Sequence, residues 1–415
     1  MKILARLGAI NGIQWYIALI ASSLSLIFTF VVYPMLANSS HAVLDPDWHG
    51  PLGFGIWKLH SFSYYPSSEP ASARGPLYPA LIAGMLAVTN GWWPYSVQLA
   101  QCVIFGLLCA LVFSITKVLW NRSLAVLACG LCAIHPFLIW YTSRIWIETL
   151  MIFLFTALIG SIVHLKQRPT YWRALLVGLI LGLSVLAKSI YLPFLVLTPL
   201  LLLLPPGGGL RPALAAIVLV SGFLVVTPWI IRNGRVTGIY APVVGGSGFT
   251  LHQGNDFIED FRSVPFSISG LFPLSVARMK AEPVMLPPTA TRLQRQNLLD
   301  AAWGRSAIAK LMHSPGFLLK KITCNLFLFW TFSDTAIKSI CVAALQLPLV
   351  TLFAISLLLR RRQINNDALW ICAALIALFY CAHLPTLALA RYSVVLVPSM
   401  LMICVGIWAP KSIRA

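Results

Sequence analysis

YSVQLAQCVIFGLLCALVFSIT, residues 95–116, contains no Asp, Glu, Lys or Arg and, as a helix, is long enough to cross the hydrocarbon core of a bilayer. Apolar runs of the same kind recur at about 14–36, 123–141, 146–165, 172–187, 190–205, 212–231, 339–359, 368–384 and 392–409. The chain of 415 residues is 59% hydrophobic and only 10% charged, with mean hydropathy +0.84. Soluble domains carry about 25% charged residues, so a water-soluble globule is excluded. A transmembrane β-barrel would show alternating segments of about 10 residues instead of long apolar runs. The fold class expected is an all-α polytopic membrane protein, a single bundle over 1–415 of about 10 spans (range 9–12).

The net charge of +19 is spread over short inter-helix loops and one long loop, without a soluble basic domain. That pattern is an orientation signal and a means of contact with anionic lipid or phosphate, and it speaks against a nucleic-acid partner. The nine cysteines, at 102, 109, 129, 132, 324, 341, 372, 381 and 404, fall almost entirely within apolar segments and form neither a disulfide framework nor a metal-ligand spacing. His49, His60, His252, His313 and His383 make no HExxH-like pattern. The amino-terminal apolar run is too long for a typical signal-peptide core and is expected to be an uncleaved anchor.

Short loops rich in Lys and Arg stay cytoplasmic. With an even span count, Lys2/Arg6, Lys117/Arg122, Lys166/Arg168/Arg173, Arg211, Arg360–Arg362 and Lys411/Arg414 share one face, and both termini are cytoplasmic. The acids then separate: only Asp367 of the eleven carboxylates is cytoplasmic, and the others lie outside. Long polar loops account for the acids after residue 250, but Asp45, Asp47 and Glu148 sit within a few residues of spans. Ionisable groups held that close to a bilayer are costly unless solvated or in use.

Two extracytoplasmic regions are large, 37–94 and 232–338, and both contain apolar stretches expected to be interfacial helices, with Trp57, Trp92 and Trp93 at headgroup depth. The first contains DPDWHGPLGFGIWKLHSFSYYPSSEPASARGPLYP, residues 45–79, which gathers acids, histidines, an arginine and aromatics. Asp45 and Asp47 stand two apart, so one carboxylate is able to act while the other positions it, helps to bind a cation, or caps the helix beginning near Trp48. Glu148 follows Arg144 by four residues in SRIWIETL, a helical pairing distance. Arg74 and Arg391 each precede a Pro-containing helix start and suit a phosphate, with interfacial anchoring as the competing role. Residues 228–256 leave the seventh span through Arg232–Asn233 into a glycine-rich turn without nucleotide-binding spacing.

These motifs resemble the GT-C membrane glycosyltransferases that use polyprenyl-phosphate sugars, among them bacterial aminoarabinose, mannosyl and galacturonosyl transferases and the protein O-mannosyltransferases. The resemblance rests on DPDWHGPLGFGIWKLHSFSY followed by ARGPLYPALIAG, on RIWIETL, on GLILGLSVLAKSIYLP, on PWIIRNGRVTG and on ARYSVVLVP, and it runs in order through roughly residues 14–400. Two positions depart from the family pattern. His49 stands where a Tyr is usual, and Lys188 lacks the neighbouring Pro of the commoner Leu-x-Arg-Pro.

The resemblance implies inverting transfer of a sugar from a polyprenyl-phosphate donor to the hydroxyl of an extracytoplasmic acceptor, at a bacterial inner membrane. It implies Asp45 or Asp47 as general base, with Glu148 in the catalytic set. Arg74, Arg391 and Lys188 would hold the donor phosphate, and His49, Tyr78, Arg144, Arg232, Asn233 and Tyr392 would bind substrate. It leaves metal dependence open: a divalent metal is compatible, while no metal ligands are assigned. The main alternative is a transporter or lipid-linked sugar flippase, which would place ionisable groups at mid-membrane and show repeats; a non-catalytic scaffold is a third reading.

Overall fold

The computed structural model describes residues 12–36, 45, 47–204, 209–261, 267–359 and 367–409. The basic residues expected on the cytoplasmic side at 2, 6, 360–362, 411 and 414 lie outside these. Among the described residues the regular secondary structure is helical, with no strand and one isolated bridge between Ser63 and Pro70. The chain is an all-α integral membrane protein of the multi-pass kind.

The helices are α1 (Ile13–Ile27, continued as far as Leu36), α2 (His49–Leu59), α3 (Leu77–Val88), α4 (Tyr95–Leu119), α5 (Arg122–Ala133), α6 (Pro136–Thr142), α7 (Glu148–Gln167), α8 (Tyr171–Ala187) and α9 (Phe194–Leu203). They continue with α10 (Pro212–Thr237), α11 (Ser247–Asp260), α12 (Ile268–Ala281), α13 (Arg292–His313), α14 (Pro315–Thr331), α15 (Ala336–Leu359), α16 (Asp367–His383) and α17 (Val397–Trp408). Among the described residues six helices are long and apolar enough to cross a membrane: α1, α4, α7, α10, α15 and the segment Ala390–Trp408 that ends in α17. The expected span 123–141 is instead two helices, α5 and α6, bent by 56°, which would make a seventh. Pro136 at the start of α6 explains the break, because proline cannot continue a helix begun before it. The remaining expected spans correspond to the shorter apolar helices α8, Ser189–Leu203 and α16. Helix α14 is outside both groups.

The bundle is centred on α7 and on the last helix, whose most apolar windows are 83% buried, whereas α1 and α15 are peripheral at 22% and 28%. Without a hydrophobic driving force between spans in lipid, close packing depends on small residues. Gly178 and Gly182 of α8 show this: a Cβ on the first would overlap Ser221 and Val218 of α10, and one on the second would press on Val225 and the Gly222 carbonyl.

Outside the bundle α11–α14 form a helical layer on which the chain before the last span is fastened. The Ala390 N–H donates to the Phe332 carbonyl (2.8 Å), and Asn325 Nδ2 donates to the Leu384 carbonyl (2.7 Å). A charged network stiffens the layer. His252 of α11 faces Asp256 (3.1 Å) and Glu282 (2.7 Å), and Arg278 of α12 reaches Asp256, Glu259 and Asp260. Fully buried Lys321 of α14 donates to Asn255 Oδ1 (2.7 Å).

Candidate active site

The two aspartates of the first loop go separate ways. Asp45 accepts from the backbone N–H of His49 (Oδ1, 2.9 Å) and of Gly50 (Oδ2, 2.6 Å), closing the amino end of α2, whose free N–H groups need such a partner. Burial nevertheless pushes its carboxyl up to about 6, against those two donors and Arg74. Between the aspartates and α2, Trp48 has φ 59°, in the left-handed region.

Asp47 faces the bundle. Its Oδ2 lies 3.3 Å from Arg391 Nη1, on the short segment between α16 and α17. Burial acts to raise its pKa, but Arg391 first, with Arg74 and Lys188, holds it well below the usual carboxylate range. Arg74 clamps the same residue from behind, donating through Nε to the Asp47 carbonyl (3.3 Å) and through Nη1 to the Ala73 carbonyl (3.1 Å). Gly75 lets this corner approach α8 closely, since a Cβ there would overlap the Leu186 carbonyl.

Glu148, the first residue of α7, is fully buried and its carboxylate oxygens receive no hydrogen bond. Arg391 Nε is 3.8 Å from its Oε1. Residues 143–147 precede α7, so the helical i,i+4 face expected for Arg144 and Glu148 does not form. Arg144 stacks on Trp146 (4.2 Å), whose ring also lies 5.4 Å from the Arg391 guanidinium. Tyr392 completes the cluster: its hydroxyl accepts from Arg391 Nη2 (3.1 Å), and Lys188 Nζ lies 3.9 Å from its ring centroid.

His49 packs edge-on against Tyr78 (5.0 Å), and burial lowers its pKa to about 3, leaving the imidazole neutral. Tyr78 donates to Gln101 Oε1 (2.9 Å), and Gln101 Nε2 in turn donates to the carbonyls of Thr142 (3.1 Å) and Arg144 (2.7 Å). Gln98 holds the Ser143 carbonyl (2.6 Å). These two amides brace the turn that leads into Glu148, a part the sequence reading did not assign. Their signal is two glutamines one helical turn apart within an otherwise apolar span.

Arg232 and Asn233 lie elsewhere and bind backbone. Arg232 donates to the Ala71 and Phe62 carbonyls and stacks on Trp229, while Asn233 donates to the carbonyls of Ala241 and Pro242. With the paired Ser72 and Val244 (2.9 and 2.8 Å), they tie the first loop to the turn after α10. Asp47, Glu148, Lys188, Arg391 and Tyr392 therefore converge. Arg74, Asp45, His49 and Tyr78 flank them, Arg144 is linked through Trp146, and Arg232 with Asn233 stands apart.

A cavity of about 140 Å³ opens beside Arg391, walled by Trp140, Tyr141, Trp146 and Phe332 and including the Asp334–Lys338 ion pair (3.2 Å). It offers aromatic surface next to a guanidinium, a combination suited to an amphiphile with an anionic group. Among the described residues no three His, Cys, Asp or Glu converge as a metal-ligand set.

No protein-family model and no curated protein sequence matches the chain. Solved structures do. The oligosaccharyltransferase of Archaeoglobus fulgidus in its apo form aligns over 95% of this chain and 50% of its own, at 16% identity and TM-score 0.53. The archaeal oligosaccharyltransferase AglB from the same organism, in complex with an inhibitory peptide and a dolichol-phosphate, aligns over 94% and 49%, at 12% identity and TM-score 0.54. The chain spans about half the length of these structures. At such identities the likeness shows the fold alone: the chain shares the helical membrane fold of these oligosaccharyltransferases, in keeping with the GT-C architecture that the ordered motifs imply.

Proposed function

We propose that the chain is an inverting glycosyltransferase that moves a sugar from a polyprenyl-phosphate carrier to a hydroxyl of an extracytoplasmic acceptor, which is a lipid, a polysaccharide or a protein. The observation that carries this reading is the Asp47–Arg391–Glu148 constellation beside an aromatic cavity on a GT-C fold. The dolichol-phosphate in the complex of the archaeal neighbour supports a lipid-phosphate donor.

Asp47 is the base in this account. Both oxygens of Asp45 are engaged by the end of α2, whereas Asp47 is ionised and turned toward the cluster of cations. The acceptor hydroxyl attacks the anomeric carbon from the face opposite the phosphate, a C–O bond forms as the sugar–phosphate bond breaks, and the phosphate departs with the bonding pair. The hydroxyl proton passes to Asp47. The same cations that keep Asp47 ionised reduce its basicity, so the transfer comes late, when bond formation has made that proton acidic. Arg391 and Lys188 stabilise the charge growing on the leaving phosphate, and Arg74 fixes the backbone of Asp47. Glu148 holds Arg391 in register from the bundle side.

In this reading the site faces away from the cytoplasm, in a bacterial plasma membrane with both termini inside. There nucleotide sugars are unavailable and the donor travels on lipid. Ionisable groups gathered at the outer helix ends, and not at mid-membrane, favour the enzyme over a transporter. Mass spectrometry of lipid-linked sugars and envelope glycans with and without the gene tests the function. A lipid-phosphate sugar should accumulate and one glycan lose a sugar when the gene is absent; unchanged pools of both would count against transfer.

A further inference from the structure

Asp47 and Glu148 reach the site from different parts of the chain and meet a single group, the guanidinium of Arg391, through Nη1 (3.3 Å) and Nε (3.8 Å). Glu148 is 1% exposed and its oxygens accept no hydrogen bond, so a buried negative charge there requires a counter-cation, and among the described residues Arg391 is the one in ion-pair range. We propose that Arg391 is the resident cation of this site and fills the position that a divalent metal would otherwise take between Asp47 and Glu148.

The surroundings agree on three counts. Hard divalent cations need about six oxygen ligands and usually more than one free carboxylate, yet the third acid nearby, Asp45, has both oxygens on backbone N–H groups. Besides Arg391, Arg74 and Lys188 also face Asp47, so the acids are already balanced by positive charge and an added dication would be repelled. Tyr392 accepts from Arg391 Nη2 (3.1 Å) and lies with its ring centroid 5.0 Å from the guanidinium, fixing it from a third side. This deepens the glycosyltransferase reading and rests on it only for one consequence, that transfer needs no added metal; the cation assignment itself concerns binding.

The test is Mn²⁺ titration of the full chain purified in detergent, with free Mn²⁺ followed by electron paramagnetic resonance and no sugar present. Wild type should show no Mn²⁺ site that E148Q removes. R391A should gain one site, and R391A/E148Q should lack it. A wild-type site abolished by E148Q overturns the proposal, and so does a monodisperse R391A that gains none; if R391A does not fold, the wild-type and E148Q comparison decides. In transfer assays EDTA should leave the wild-type rate unchanged, and a loss restored by Mn²⁺ would overturn the proposal. Absence of any transfer would refute the glycosyltransferase reading while leaving the Mn²⁺ result standing.

Discussion

Asp47 Oδ2 and Arg391 Nη1 lie 3.3 Å apart although 344 positions separate them in the chain. Through this contact the first loop is joined to the entry of the last span, and Arg391 carries the link on to Glu148 at the head of the central helix α7. Arg391→Ala should lower transfer by at least about 100-fold, with a raised demand for donor, since it removes the neighbour that keeps Asp47 ionised and, in the proposed mechanism, a contact to the leaving phosphate. Arg391→Lys should restore little, because a point charge cannot serve Asp47, Glu148 and Tyr392 together. Donor-dependence curves in reconstituted vesicles check this; wild-type curves for Arg391→Ala would remove the residue from the site.

The pH dependence of transfer distinguishes the two aspartates. Asp47 is held below the ordinary carboxylate range by Arg391, so with Asp47 as base the rate stays flat as pH falls from about 7 to about 5. With Asp45 as base it would fall by half near pH 6, where burial has moved that carboxyl. The contribution of Asp45 itself to stability does not obscure the comparison. A raised carboxyl contributes stability that is complete below its unfolded value of 3.8 and is lost as pH rises through about 6, so the acidic side is the more stable one for this group.

Asp45 has a different expected signature. Asp45→Ala removes the acceptor at the start of α2 and should destabilise the protein by about 1 kcal/mol, the usual cost of losing a helix cap. Thermal unfolding in detergent measures it. An unchanged midpoint would mean that the end of α2 is satisfied in another way.

Gly75 tests the placement of Arg74 without altering any charged group. A Cβ there meets the Leu186 carbonyl, which is backbone and cannot swing aside. Gly75→Ala should therefore push the Arg74 corner away from α8 and reduce transfer while the protein stays folded and monodisperse. A fully active Gly75→Ala would show that this close approach is not needed.

In the outer layer the hydrogen bond to Asp256 first, and that to Glu282, raise the pKa of His252 against the effect of burial. The stability this lends is complete below the unfolded value of 6.5 and is lost as pH rises through the raised one. Hydrogen-exchange protection of α11 and α12 should then decline on the alkaline side, and His252→Gln should abolish that pH dependence. Protection that is equally pH-dependent in the variant would assign the effect to other groups.

Much of this architecture was legible because lipid imposes simple demands on sequence. Long apolar runs located the helices of the bundle, while Pro136 divides the run 123–141 into two helices bent by 56°, a break that hydropathy by itself does not mark. The order of motifs around Asp47, Lys188 and Arg391 was readable, but their convergence depends on how α7, α8 and the last span cross, which periodicity does not encode. Asp45 and Asp47 look equivalent in the sequence and separate only through the backbone N–H groups of α2. Gln98 and Gln101 passed unnoticed because two amides barely alter the hydropathy of so apolar a span.

The most direct measurement compares Asp45→Asn with Asp47→Asn in vesicles supplied with a panel of synthetic polyprenyl-phosphate monosaccharides and acceptor glycolipids. Asp47→Asn should abolish transfer, with at least about a 100-fold loss, while donor binding persists. Asp45→Asn should retain most of the rate. Wild-type transfer by Asp47→Asn, or loss confined to Asp45→Asn, would contradict the assignment of Asp47 as the base.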